Sequence, residues 1–403
     1  MTREEKIDIV LERFYNRFNK YNTKVLTKLG ETIKKFNNVT PSEAHILAQE
    51  LRNGKTVQEL NEELSRITGK TINEIYEAFD EIAKDDVEFY KVYYESKNMG
   101  FKPYSERTAL MYYVNSISTL TSGKMVNIAR TTGFTKKVNG RSVFKTLRQT
   151  YIDLIDEAVY NVSRGTQAQE TAMRKVIKEL ANSGVKNIDY ESGYRRRVDS
   201  SVRQIVNDGV SQIFDKIQQT IGDTLGTDGV EISAHPLCAL DHLPYQGRRF
   251  TTNQYDASGN LIKEGEFEKI QNSLDRPIGA WNCRHSVYRI LLDVDEPSYT
   301  KKQLNEYKKE SLKPIEYEGK TYTKYEATQV QRKLETAIRR NKDTQIIARA
   351  SGIQSEINKS QQKINQLTRK YNDFSKKAGL QPYKERLSVS QYRKVKIKNW
   401  NNY

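Results

Sequence analysis

Apolar residues at Ile7, Leu11, Phe14, Phe18, Tyr21, Val25, Leu29, Ile33 and Phe36 recur three or four positions apart. A chain patterned this way can bury one continuous face only as a long α-helix. Thr40-Pro41-Ser42-Glu43 then supplies a capping hydroxyl, a proline at the first helical position and a glutamate at the third, which predicts a second helix start. Thr71 with Glu74 repeats that signal ahead of Ile75, Phe79 and Ile82, so residues 1–100 read as helices in series. Composition agrees: 36% of residues are hydrophobic and 29% charged, a balance that suits long half-exposed helices better than one large core. The fold class expected is mainly α: long helices, a small central α+β module holding cysteine and histidine, and a C-terminal coiled-coil-like helix.

Phe101-Lys102-Pro103 breaks the first region. Residues 105–130 read as helix, Asn139-Gly140 predicts a tight hairpin turn, and helices resume over 144–163 and 167–182. Val198, Val202, Ile205, Val206 and Val210 form another helical stripe, and Val230–Ser233 reads as a strand. Residues 251–280, with Gly259, Gly265, Pro277 and Gly279, read as a long connection with little regular structure. From Tyr299 the pattern is helical again, through Ala327, Val330, Leu334 and Ile338. Ile353, Ile357, Ile364, Leu367, Tyr371 and Phe374 make a coiled-coil-like seam, to be buried on the chain's own helices or on a partner by self-association. Gly379 and Pro382 end it, and the basic final residues from Arg393 read as a loose tail. Four regions follow: 1–100 helical, 101–190 helical with a small hairpin, 191–300 the central module, and 301–403 a basic helical region.

The stretch from Val230 to Ile290 is chemically distinct, because both cysteines and three of the four histidines lie in it. Cys283 and His285 are two apart and would point the same way on a strand; His235 and His242 lie on a loop interrupted by Pro236 and Pro244. Together His235, His242, Cys283 and His285 could close a tetrahedral zinc site from two loop arms, with Cys238 as an alternate ligand. The spacing matches no common zinc finger or ribbon. Two other readings stand beside this one. The side chains could simply be packed and hydrogen-bonded, or they could form a metal-dependent nuclease or hydrolase centred on His235, His242 and His285. Asp241 is the only acid in the first arm, and Trp281 reads as core rather than as a stacking platform.

A formal net charge of +16 favours a polyanionic partner, most often nucleic acid. Arg195, Arg196, Arg197 and Arg203 are the candidate phosphate contacts, against the plainer reading of a solvated helix face; the lysine-rich stretches 301–313 and 393–398 carry the same pair of readings. Two cysteines do not make a disulfide framework, which points to a reducing compartment. The N-terminus lacks an apolar signal-peptide core and no run approaches bilayer-spanning length, so a soluble, unexported chain with no membrane partner is expected.

The segment SGYRRRVDSSVRQIVNDGV, then Ser233-Ala234-His235, His242 and Gln246-Gly247, then Asn282-Cys283-Arg284-His285, resembles the minor capsid protein family of tailed phages of Gram-positive hosts. KYEATQVQRKLETAIRRNK and KYNDFSKKAGLQPYKER resemble that family's C-terminal part, so the likeness covers about residues 190–390. In organisation the chain is also similar to Mu-type head-morphogenesis proteins. One departure concerns the first arm, where the family's Ala-Arg-Pro run is replaced by Cys238-Ala239-Leu240-Asp241. The resemblance implies a non-enzymatic, low-copy virion component made in the host cytoplasm and placed inside the head near the portal. It would assist head assembly, DNA packaging or DNA delivery. Its implied partners are the portal or major capsid protein and packaged double-stranded DNA. A free-standing DNA-binding protein is the third reading.

Overall fold

The computed structural model describes residues 3–163, 166–188, 195–256, 258–279, 283 and 285–396. In chain order the elements are α1 (Arg3–Lys35), α2 (Pro41–Leu51), α3 (Lys55–Phe89), α4 (Lys91–Ser96), α5 (Thr108–Arg130), the hairpin β1 (Gly133–Val138) and β2 (Arg141–Thr146), α6 (Leu147–Val162) and α7 (Thr166–Ser183). Then come β3 (Lys186–Ile188), β4 (Arg195–Arg197), α8 (Val198–Leu225), β5 (Gly229–Ile232), β6 (Arg249–Thr251), β7 (Gln254–Tyr255), β8 (Leu261–Lys263), α9 (Glu266–Ser273) and β9 (Val287–Ile290). The chain closes with α10 (Lys301–Leu312), β10 (Pro314–Tyr317), β11 (Lys320–Thr323), α11 (Lys324–Ser351) and α12 (Gln354–Lys377). The protein is mainly α, with small sheets. Among the described residues no helix is long and apolar enough to cross a membrane.

Two compact units are interleaved in sequence: one takes Met1–Leu11, Asn73–Ser122 and Gln204–Gln329, the other Glu12–Ile72, Gly123–Arg203 and Val330–Tyr403. The first contains the antiparallel sheet β6-β5-β9, where Val230, Ile232, Phe250 and Ile278 form a buried cluster with Phe267 and Ile270 of α9 against it. The second contains the sheet β2-β1-β3-β4 and the α11–α12 pair. The β1–β2 hairpin turns at Asn139 (φ 49°) and Gly140 (φ 76°), the paired left-handed geometry that an Asn-Gly turn favours.

Several local expectations change. Thr40 caps α2 with Glu43 reciprocating, but Thr71 starts nothing; it sits inside α3, its hydroxyl donating to the Ile67 carbonyl at 2.7 Å. The buried stripe Leu60, Leu64, Ile67, Ile75, Phe79 runs through that point, and burial carries the helix past a weak capping signal. Residues 251–280 hold the β7–β8 hairpin and α9 rather than an irregular connection. The 353–374 seam packs on the chain's own α11: Tyr371 and Ile338 are buried together, with Leu334 and Leu367 beside them. Nor is the tail loose as far as residue 396. The Ser390 carbonyl accepts from Thr23, the Tyr392 hydroxyl and Val395 amide both donate to Gln361 Oε1, and Lys342 Nζ lies 4.7 Å from the Tyr392 ring centroid. Residues 397–403 lie outside the described set.

Candidate metal centre

Strand register decides what meets what in the central module. β5 is the middle strand, and Ile232 at its C-terminal end pairs with Val287 at the start of β9. Antiparallel pairing therefore brings the residues just after β5 and those just before β9 to one end of the sheet. Ser233 extends the contact, its amide donating to the Ser286 carbonyl at 2.9 Å and its hydroxyl accepting from the Ser286 amide at 2.8 Å. The first arm then runs through His235, Cys238 and His242 and returns at Gly247, whose amide donates to the Ile232 carbonyl. Gln246 is buried and accepts the His235 amide at 3.1 Å. Gly247 has φ 66°, and a Cβ there would come within 2.1 Å of Leu304 Cδ2. The Gln-Gly pair thus closes the arm, one by a hydrogen bond and the other by fitting where a side chain cannot.

At this junction His242, Cys283 and His285 offer ligand atoms that all lie within 4.8 Å of one another. Cys283 Sγ is 3.3 Å from His242 Nδ1 and 3.3 Å from His285 Nδ1. Two ligands of a tetrahedral zinc with ordinary Zn–S and Zn–N bonds stand about 3.6 Å apart, so the observed spacing needs only a small adjustment. The imidazoles are buried, His242 at 1% exposure and His285 at 6%. His242 Nε2 faces the Arg276 carbonyl at 2.8 Å, which fixes that nitrogen as a donor and turns Nδ1 toward the sulfur. His285 Nδ1 faces the same sulfur, with its Nε2 3.5 Å from Cys238 Sγ.

The two thiols are set apart by their surroundings. Burial pushes Cys238 up to about 12, so it stays a neutral thiol, donating to the Ala239 carbonyl. Burial also opposes charge on Cys283, but the hydrogen bonds from His242 and His285 overcome it and bring the thiol down to about 5. Burial disfavours charge on His242 too; the Cys283 and Arg276 hydrogen bonds outweigh it and raise the imidazole above its ordinary value. A thiolate held between two imidazoles is a donor set in which a divalent metal can replace protons. The residues present therefore fit a zinc ion on Cys283, His242 and His285.

His235 and Cys238 adjoin this triple without joining it. The His235 ring stacks on His285, centroids 4.6 Å apart, with its Nδ1 3.0 Å from the Pro236 carbonyl; Cys238 faces the opposite nitrogen of His285. Asp241 is exposed and forms a two-pronged pair with Arg276 at 2.8 and 3.1 Å. Sequence reasoning missed Arg276 altogether. Its guanidinium ties the second arm to Asp241 and its carbonyl holds His242, but only the adjacent Pro277 marks it in the sequence. An arginine thus reaches the first arm from position 276, although the family's run at 238–241 is absent. Trp281, Asn282 and Arg284 lie outside the described residues.

The arginine run behaves differently from a phosphate-facing surface. Arg195–Arg197 is a strand, β4, so alternate side chains point to opposite faces. Arg195 donates to the Ser142 carbonyl at 2.6 Å. Arg197, 15% exposed, is held by Asp343 at 3.0 Å and Asp199 at 3.3 Å, both carboxylates buried. Arg197 is engaged inside the protein. Arg203 is exposed on α8, and so are Lys301, Lys302, Lys308 and Lys309 on α10.

A profile of the family described as "Phage minor capsid protein 2" matches residues 4–376. No curated protein and no solved structure matches the chain. With a match over nearly its whole length, the chain belongs to the phage minor capsid protein 2 family.

Proposed function

We propose that this minor capsid protein serves the phage head as a low-copy, non-enzymatic component near the portal, with the Cys/His module as a zinc-stapled clamp that holds a docking surface rigid. The observation that carries the reading is the convergence of His242 with Cys283 and His285, from arms some 40 residues apart, both rings 3.3 Å from the one sulfur. A metal at such a junction stabilises two loops that a short three-stranded sheet alone leaves weakly tied. Both imidazoles are buried, which supports a structural role for the metal. The exposed lysines of α10 would neutralise phosphate without reading sequence, against packaged double-stranded DNA.

The test is metal analysis of purified protein with thermal unfolding before and after a chelator. About one zinc per chain, lost in Cys283→Ser and accompanied by a lower melting temperature, supports the clamp. A metal-free chain whose unfolding ignores both chelator and added zinc refutes it. Divalent-metal-dependent DNA cleavage abolished by His242→Ala would replace it with the enzymatic reading. Location is tested separately by comparing full heads with DNA-ejected heads, and DNA contact by titration at rising salt, where an affinity insensitive to salt contradicts phosphate neutralisation.

A further inference from the structure

The β1–β2 hairpin, α6 and α7 surround a cavity of about 40 Å³ that belongs to neither the metal centre nor the basic faces. That is room for about three water molecules, or for a short unbranched chain. Its floor is apolar, made by Phe134, Leu154, Val176 and Leu180. Its walls carry two internal ion pairs, Lys136–Glu157 at 3.3 Å and Lys145–Asp153 at 2.5 Å, which cancel in charge. Thr150 Oγ1 also lines it but donates to the Thr146 carbonyl at 2.9 Å, which leaves two polar groups. Glu179 lines the cavity half-buried, with no ion pair or hydrogen bond among the described residues. Thr135 Oγ1 is buried and has no hydrogen-bond partner among them.

A ligand that suits this lining must present an apolar stem to the floor and a donor to Glu179 and Thr135. An anion would meet the uncompensated charge of Glu179. A neutral hydrocarbon would leave the buried hydroxyl unsatisfied. A guanidinium is a broad planar fork, whereas an ammonium is compact and offers three donors to separate acceptors. We propose that this cavity binds an aliphatic primary ammonium, its methylene stem on the Leu154–Leu180 floor and its charge on Glu179, with Thr135 Oγ1 accepting one hydrogen bond. Two sources share that chemistry: a free di- or polyamine, and a lysine side chain of another chain.

The experiment titrates the full-length protein with butylamine, 1,4-diaminobutane and N-acetyl-lysine methylamide, using heteronuclear NMR, with butyrate as the anionic control. Saturable shifts at Thr135 and Val176 with the amines and none with butyrate are expected. Glu179→Gln should weaken binding about tenfold or more, the loss that follows removal of a charged hydrogen-bond partner. Because Glu179 is unpaired, that variant keeps or raises the melting temperature, so weakened binding cannot be ascribed to unfolding. Thr135→Ser, which keeps the hydroxyl, should retain binding, and Thr135→Val should reduce it. Equal binding of butylamine and the lysine derivative assigns the site to a lysine side chain. Diamine binding with the derivative excluded assigns it to a free polyamine. Absence of saturable amine binding, or amine binding unchanged in Glu179→Gln, overturns the proposal.

Discussion

Replacing Arg197 with methionine removes the guanidinium that bridges two buried carboxylates, Asp199 at 2% exposure and Asp343 at none. Methionine keeps much of the stem's volume, so the main loss is electrostatic rather than a cavity. Breaking a buried pair by removing one partner costs about 3–5 kcal/mol, because the remaining charges lose their partner without regaining water. For a unit of 150–250 residues each kcal/mol moves the melting temperature by about 2–4 °C, so the variant should melt about 6–20 °C lower. Arg203→Met, at an exposed position, should stay within about 0.5 kcal/mol. The pH dependence separates this account from a simple packing defect. Burial raises the Asp199 carboxyl, but Arg197 and Arg339 together hold it below its ordinary 3.8; its stabilising share is complete above that value and lost as pH falls through the lower folded one. Burial drives Asp343 upward despite Arg197. Without Arg197 both carboxyls lose an attraction and the native state binds protons more readily, so the gap between variant and wild type should narrow as pH drops toward about 4. Thermal scans across that range make the measurement. An Arg197→Met protein that melts within about 2 °C of wild type at neutral pH while losing DNA affinity would refute the reasoning and return Arg197 to phosphate contact.

Other consequences concern the metal arms and the C-terminal strap. Asp241→Ala removes the tether that positions Arg276, and with it the carbonyl that orients His242; zinc affinity measured by chelator competition should fall about tenfold or more while the sheet stays folded. Gly247→Ala forces a side chain into left-handed backbone and against Leu304, costing at least about 1–2 kcal/mol and lowering zinc retention in the same assay. Truncation after residue 387 strips the Tyr392 and Val395 donors from buried Gln361 and removes the buried Val389 side chain, so the unit containing α11 and α12 should unfold earlier and be cut faster by protease; an unchanged cleavage rate would restore the loose-tail reading.

Much of the fold could be read from spacing because a long helix advertises its buried face at every turn. The stripe from Leu11 to Phe36 is buried throughout α1, and the 353–374 seam found its partner in α11. Signals confined to a few residues were less secure. Thr71 with Glu74 carries the same letters as Thr40 with Glu43, yet only Thr40 lies where the chain leaves one helix and enters another. Short strands such as β7, β8, β10 and β11 are set by pairing and not by periodicity, so four residues hold too little pattern to read. The interleaving of the two units has no local signature at all, since the dividing points at residues 72 and 122 fall inside α3 and α5.

The candidate site divides along the same physical line. Composition can indicate which side chains have metal-binding chemistry, and here it singled out five. Which of them share one point depends on the direction each ring faces, and that is set by the atom on its far side. His242 turns Nδ1 inward because its Nε2 is held by the Arg276 carbonyl, a backbone group with no sequence letter. His285 turns Nδ1 toward the same sulfur with Cys238 on its other nitrogen, which places Cys238 behind the ring and not beside Cys283. The two cysteines are identical in sequence, yet burial leaves one protonated and two imidazoles strip the other. A thiol supporting a histidine should tolerate Cys238→Ser, because a hydroxyl can accept the same Nε2–H; Cys283→Ser should not be tolerated, because no thiolate remains to hold the metal. Measured zinc content that falls equally in both variants would place Cys238 in the coordination sphere and require the His285 ring to be flipped.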